Sequence, residues 1–207
     1  MKNKSEIIIN YLHNLYPNNE SFLNYKKDYE FLIAVMLSAQ TTDIAVNKAT
    51  DILFAKYPTI EKLHEATYDD IYNIIKNIGI AKIKTNNIIG ITDLLLSKFD
   101  KKVPFKKTDL MTMPGVGNKT ANVVRMELFH EPEMPVDTHI LRVSKRLGII
   151  KEKENVVDAE RELKKMFDEK YYYDLHHQII LFGRNICLAR SPKCSECKLK
   201  DFCTHSK

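Results

Sequence analysis

The sequence predicts an all-α protein, and three observations carry that expectation. Apolar residues recur at three- and four-residue intervals over most of the chain, the spacing that lines one face of a helix. The segments so marked open on Ser, Thr, Asp or Asn and close on Gly or Pro, which are helix start and stop signals. No segment reads as a strand, and no internal repeat or low-complexity linker interrupts the pattern.

Taken in order, Ser5 is placed to cap a first helix carrying Ile8, Ile9, Leu12 and Leu15, which ends before Pro17. The polar stretch Asn18 to Lys27 reads as a loop. The run Phe31 to Leu37 is apolar throughout; Ala34, Met36, Leu37 and Ala39 and its length favour a buried helix over a strand. Thr42 or Asp43 caps the next helix, whose apolar face is Ile44, Val46, Ala49, Ile52, Leu53 and Phe54. Pro58-Thr59 starts a short helix to about His64. Thr67 caps another, containing Ile71, Ile74, Ile75 and Ile78, with Gly79 expected at its left-handed C′ position. A long helix is expected from Ala81 to Phe99, then a short one capped by Thr108. Asn118 to about Phe129 follows a glycine turn. Asp137 is placed to cap a helix that stops at Gly148. Asn155 to Phe167 is amphipathic, and Asp174 is expected to open the last helix, which runs into the cysteines.

With 207 residues, 44% hydrophobic and 29% charged, the chain is long enough for one large or two small domains with a core. No apolar run approaches the roughly 20 residues that span a bilayer. Met1 to Glu6 leads into an amphipathic segment, not a signal peptide, so a cytoplasmic protein is expected. The net charge of +5 favours a polyanionic partner without requiring one. All four cysteines lie between Cys187 and Cys203, and such clustering indicates a metal site, not a disulfide framework.

Two stretches carry chemistry. Met113-Pro114-Gly115-Val116-Gly117-Asn118-Lys119-Thr120 joins two helical patterns through a turn with two glycines, and a lysine follows in the first turn of the second helix. Amide N–H groups at such a turn and helix start make an anion site, so the stretch reads as a phosphate cradle with an amine beside it. In isolation the better reading is a plain turn followed by a solvated lysine; the rest of the chain decides against it. The cysteine spacing is Cys187-x6-Cys194-x2-Cys197-x5-Cys203. Four thiolates repel one another and call for a cation; the spacing leaves zinc and an iron–sulfur cluster both open. The loop between the first two cysteines holds Arg190 and Lys193, suited to phosphate contact or simply to solvation.

Together, the glycine hairpin with Lys119, Val136-Asp137-Thr138-His139, Leu37-Ser38-Ala39-Gln40-Thr41-Thr42-Asp43 and the cysteine spacing make the chain resemble the endonuclease III family of DNA glycosylases, in the helix-hairpin-helix superfamily. The resemblance covers nearly the whole chain. It implies two helical domains with a DNA-binding cleft between them: a six-helix barrel over residues 22–132, with the hairpin motif at about 108–130, and a discontinuous domain of residues 1–21 plus 133–207. It implies a [4Fe-4S] cluster on Cys187, Cys194, Cys197 and Cys203. It also implies action on double-stranded DNA, removing oxidised or ring-damaged pyrimidines and then cleaving the abasic site, with nucleoid association through that binding. A monomer is the default expectation, since no self-complementary helix stripe stands out.

On the same basis Lys119 matches the nucleophile that attacks sugar C1′, and Asp137 the carboxylate near the positive charge that develops on the sugar. As a residue in its own right, Asp137 reads as a helix N-cap, and the two roles are compatible. The target nucleotide must leave the stack; Gln40 and the loop Ile78-Gly79-Ile80 match the wedges that fill the gap, although core packing also accounts for Ile78. Gly115, Val116 and Gly117 would hold a flanking phosphate. His139 lies in a matching segment. Asn118 stands where many relatives carry a basic residue, which removes one cation from the phosphate contact. Adjacent His176 and His177 point to packing, since neighbours on a helix face differently. Two other readings remain: a mismatch glycosylase of the same superfamily, which generally lacks a lysine at the position of Lys119, and a non-catalytic DNA-binding module with structural zinc, which has no use for Lys119 and Asp137.

Overall fold

The computed structural model describes residues 2–18 and 20–205; Met1, in the expected N-terminal lead-in, and Asn19, in the expected first loop, lie outside the described residues. It contains eleven α-helices among those residues: α1 (Lys2–Leu15), α2 (Asp28–Leu37), α3 (Asp43–Lys56), α4 (Ile60–His64), α5 (Tyr68–Ile75), α6 (Ala81–Ser97), α7 (Lys107–Leu110), α8 (Asn118–Phe129), α9 (Thr138–Arg146), α10 (Val156–Met166) and α11 (Tyr172–Asn185). The rest is short 3₁₀ turns and loops, with no strand among the described residues. None of these helices is long and apolar enough to cross a membrane.

The chain divides into two compact units, Ser21–Phe129 and Met1–Glu20 with His130–Lys207. The first is built around α2. Tyr29 through Leu37 are all buried, as expected of a helix that is apolar on every side. Burial of each large side chain contributes roughly 1.5–3 kcal/mol. Glu30 joins them because its carboxylate accepts the Lys26 and Lys27 amides at 2.8 and 3.2 Å, satisfying orphan donors at the helix start. Around α2 pack α3, α6 and α8, with α4 and α5 against α6. Their inward residues, from Leu23 to Val124, form one continuous core. In the second unit, α11 packs against α1 and α9, and α10 against α9. Its core includes Ile8, Leu12, Met134, Ile140, Val143, Leu163, Leu175, Ile179 and Phe182.

Thr42, Thr59, Thr67, Asp137 and Asn155 cap α3, α4, α5, α9 and α10 with their side-chain oxygens. Four local expectations are corrected. Ser5 lies inside α1, which begins three residues earlier. Thr108 is inside α7, whose N-cap is Lys106. Asp174 sits in the first turn of α11, not ahead of it. The left-handed residue after α5 is Ile80, at φ 54°, not Gly79. Gly79 is required instead by space: a Cβ there would lie 3.3 Å from the Gln40 carbonyl oxygen.

Candidate DNA-repair site and metal centre

The glycine hairpin between α7 and α8 divides its two glycines between different demands. Gly115 has φ +78°, and a Cβ on it would lie 2.4 Å from Asn87 Nδ2 and 2.9 Å from Met36 Cγ. Its neighbour Pro114 is received by Gly90 of α6, where a Cβ would come within 2.7 Å of the proline ring. The fold therefore requires both glycines. Gly117 is different: it has no left-handed φ, and nothing lies within 4 Å of a Cβ built on it. A glycine that its own fold does not need is suited to close approach by something outside the chain.

Val116 corrects the expected cradle. Its side chain is buried and its amide already donates to the Met113 carbonyl at 3.1 Å, so it has nothing to offer a phosphate. The Gly117 amide has no acceptor among the described residues, and Gly117, Asn118 and Lys119 are all exposed at the N-terminus of α8. The Lys119 side chain makes no ion pair or hydrogen bond among the described residues. The result is an unengaged amine at the positive end of a helix, beside an open amide.

Asp137 is half-buried and caps α9: its Oδ1 accepts the Ile140 amide at 2.7 Å. The cap fixes the carboxylate in place. The preceding loop is held by His176, whose Nδ1 lies 2.9 Å from the Pro135 carbonyl. His177 bonds the Tyr173 carbonyl, so both histidines are packing residues. His139, two residues after Asp137, is half-buried, with Nδ1 3.2 Å from Arg142 Nη2. Burial pushes its imidazole below the ordinary value; Asp137 opposes this, while Arg142 and Arg184 reinforce it. His139 is thus tied into the α9–α11 packing, which Gly183 permits: a Cβ there would sit 3.0 Å from His139 Cβ.

Of the expected wedges, Gln40 is exposed and left-handed, at φ 56°. Ile80 is 51% exposed, whereas Ile78 is 4% exposed and part of the core. Ile78 would have to leave that core to reach DNA, so it is a packing residue. Arg190 and Lys193 are exposed.

All four cysteines are free thiols lining one open recess, together with Arg146, Lys193 and Lys200. Burial, and then the neighbouring Cys187, Cys203 and Cys194, push the Cys197 thiol up, so the group is uncomfortable as thiolates until a cation joins it. Four cysteines at one recess fit a [4Fe-4S] cluster, which four thiolates hold.

Two arginines escaped the sequence reading, and both are on α9. Arg142 donates to the Gly183 and Cys187 carbonyls at 2.8 and 3.1 Å. Arg146 donates to Leu188 and Ala189 carbonyls at 2.6 and 3.1 Å and approaches Cys187 Sγ at 3.4 Å. The helix capped by Asp137 thereby also holds the start of the cysteine loop. Their spacing of four residues on one helix face was the available signal.

Comparison with known proteins agrees with these features. Residues 33–169 match the model for the HhH-GPD superfamily base excision DNA repair protein, and residues 187–203 match the iron-sulfur binding domain of endonuclease III. Endonuclease III of Rickettsia felis is 44% identical over 91% of this chain and 88% of that protein; that of Escherichia coli K12 is 40% identical over 91% and 89%. A solved structure of a non-covalent endonuclease III–DNA complex superimposes with a TM-score of 0.94 at 37% identity, covering 100% of this chain and 96% of that one. A trapped endonuclease III–DNA covalent intermediate gives 0.92 at 38%, covering 98% and 96%. The helical fold, the hairpin lysine, the capped aspartate and the cysteine recess therefore have one common explanation: this chain belongs to the endonuclease III family of HhH-GPD base-excision repair proteins and carries a [4Fe-4S] cluster.

Proposed function

We propose that the chain removes oxidised or ring-damaged pyrimidines from duplex DNA and cleaves the resulting abasic site, with Lys119 as nucleophile and Asp137 as the stabilising carboxylate. Membership of the family makes it a DNA glycosylase/AP lyase that binds DNA; the lesion class and the residue roles are the proposal. The observation that carries it is Lys119 itself, an exposed and unengaged amine one residue past Asn118 at the start of α8.

The neutral amine of Lys119 attacks sugar C1′. A C1′–N bond forms as the bond to the base breaks, and the bonding pair leaves with the base, which takes up a proton. Positive charge builds on the sugar during departure, and a carboxylate fixed by its own helix cap meets that charge without reorganising. Loss of a proton from the amine and opening of the sugar ring give a Schiff base. Removal of a C2′ proton then expels the 3′ phosphate. Gly117 and its amide, with exposed Asn118, are suited to the flanking phosphate; Arg190 and Lys193 are suited to the backbone further along. Gln40 and Ile80 fill the space of the extruded nucleotide. Cys187, Cys194, Cys197 and Cys203 hold the cluster, which supplies a rigid frame for the loop. One copy carries both Lys119 and Asp137, so a monomer suffices, and it works wherever chromosomal DNA lies, in the cytoplasmic nucleoid.

The test is incubation with duplex DNA carrying one thymine glycol, followed by borohydride. A permanent protein–DNA bond is expected with the native chain and none with Lys119→Gln. Trapping that survives the substitution removes Lys119 from the role. No trapping by the folded, iron-loaded native protein, even on an abasic site, removes the lyase mechanism and returns the mismatch-glycosylase reading.

A further inference from the structure

Lys84 is 1% exposed, among the most deeply buried large side chains of the chain. A buried ammonium is costly unless its donors are used, and this one has no carboxylate partner among the described residues. All three of its bonds go to a single turn: Leu37 O at 2.8 Å, Ala39 O at 2.7 Å and Thr41 Oγ1 at 2.9 Å. An ammonium has three N–H donors, so the group is fully committed. Leu37 ends α2, and a cation is favoured at that negative helix end.

The turn it grips contains Gln40. Gln40 is held in the left-handed region, where a non-glycine residue is strained. The second strained residue, Ile80, belongs to the adjacent loop, since Gly79 packs against the Gln40 carbonyl oxygen and Thr41. A β-branched side chain at φ 54° is rarer still. The Lys84 backbone amide donates to Ile80 O at 3.2 Å. That bond is the first i→i−4 bond of α6, so the side chain that grips the Gln40 turn stands one helical turn after Ile80.

We propose that Lys84 is a positioning residue that locks the Gln40 and Ile80 turns into one preformed insertion element, so that both residues enter the space of an extruded nucleotide together. The proposal rests on the reading of Gln40 and Ile80 as the residues that fill that space. Along α6, Asn87 and Gly90 follow at three-residue intervals and seat Gly115 and Pro114 of the hairpin. The same helix thus sets the wedge and the phosphate hairpin in register.

Lys84→Met keeps much of the side-chain length and removes the three donors. Single-turnover excision of thymine glycol from duplex DNA, cleavage of a preformed abasic site, and fluorescence of a 2-aminopurine beside the lesion are compared in the iron-loaded full chain. A loss of about tenfold or more is expected in excision and in the rate of the fluorescence rise, with abasic-site cleavage changed by less than about threefold, because no damaged base remains to be expelled there. Equal losses on both substrates, or no loss on either, overturn the proposal. Inactivity of the native chain on both substrates would instead overturn the glycosylase reading itself. If Lys84→Met does not fold, Thr41→Val removes one of the three acceptors. A selective loss on thymine glycol then supports the proposal, and an unchanged rate overturns it.

Discussion

Asp137 caps α9 through Oδ1, and in the proposed mechanism the same carboxylate meets the charge on the sugar. Asn is as good an N-cap as Asp, whereas Ala is not. Asp137→Asn is therefore expected to keep native stability and DNA binding while losing most turnover. Asp137→Ala should lose turnover and also about 1 kcal/mol of stability. Calorimetry paired with single-turnover excision separates the two roles, and an Asn variant with native turnover would show that the charge is not used. His139 gives a pH prediction. Its folded-state value is depressed below the ordinary 6.5, so the unfolded chain takes up a proton at a pH where the folded chain still refuses it. Stability should be full above that ordinary value, fall as pH drops through it, and level off below the depressed value. Urea midpoints between about pH 7.5 and about pH 5.5 should decline less in His139→Gln than in the native chain; an identical decline would assign the acid sensitivity elsewhere.

At the level of elements, the hairpin glycines make opposite predictions. Gly115→Ala meets both a left-handed φ and contacts with Asn87 and Met36, and should cost about 1–3 kcal/mol. Gly117→Ala meets nothing, and should cost less than about 1 kcal/mol, chiefly through the poorer capping of Ala. Its effect is expected in DNA affinity, where a methyl group stands in the path of the phosphate. Thermal melting beside a binding titration checks the pair. A Gly117→Ala protein that binds DNA normally would mean that no phosphate approaches there.

For the whole molecule, each unit has its own core, and the cysteine loop belongs to one of them. That loop is held by Arg146, by the Thr204 amide on the Arg146 carbonyl at 2.8 Å, and by Tyr11 Oη on the Glu196 carbonyl at 3.3 Å. Without the cluster, four thiols remain with nothing to bridge them. Cys203→Ala should lose iron and visible absorbance. Limited proteolysis should then attack the chain beyond residue 130 first, leaving a fragment close to Ser21–Phe129. Uniform digestion of both units would mean that the cluster supports them equally.

The sequence alone determined the helical class, most helix boundaries, the side-chain caps Thr42, Thr67 and Asp137, the cysteine set and the placing of Lys119 and Asp137 at helix starts. These are local properties: spacing, capping chemistry and short motifs act within a few residues. Tertiary structure decided what depends on distant neighbours. Ile78 and Ile80 are alike in sequence, yet one faces the core and the other solvent. Gly79 was needed for clearance from Gln40, leaving Ile80 to take the strained angle. Val116 spends its amide inside the hairpin. Lys84 shares a stripe with Ile88, Ile91 and Leu95, a charge in an apolar register whose meaning appears only when α6 meets the end of α2. Side-chain spacing states which face a residue occupies, but only packing states what that face meets.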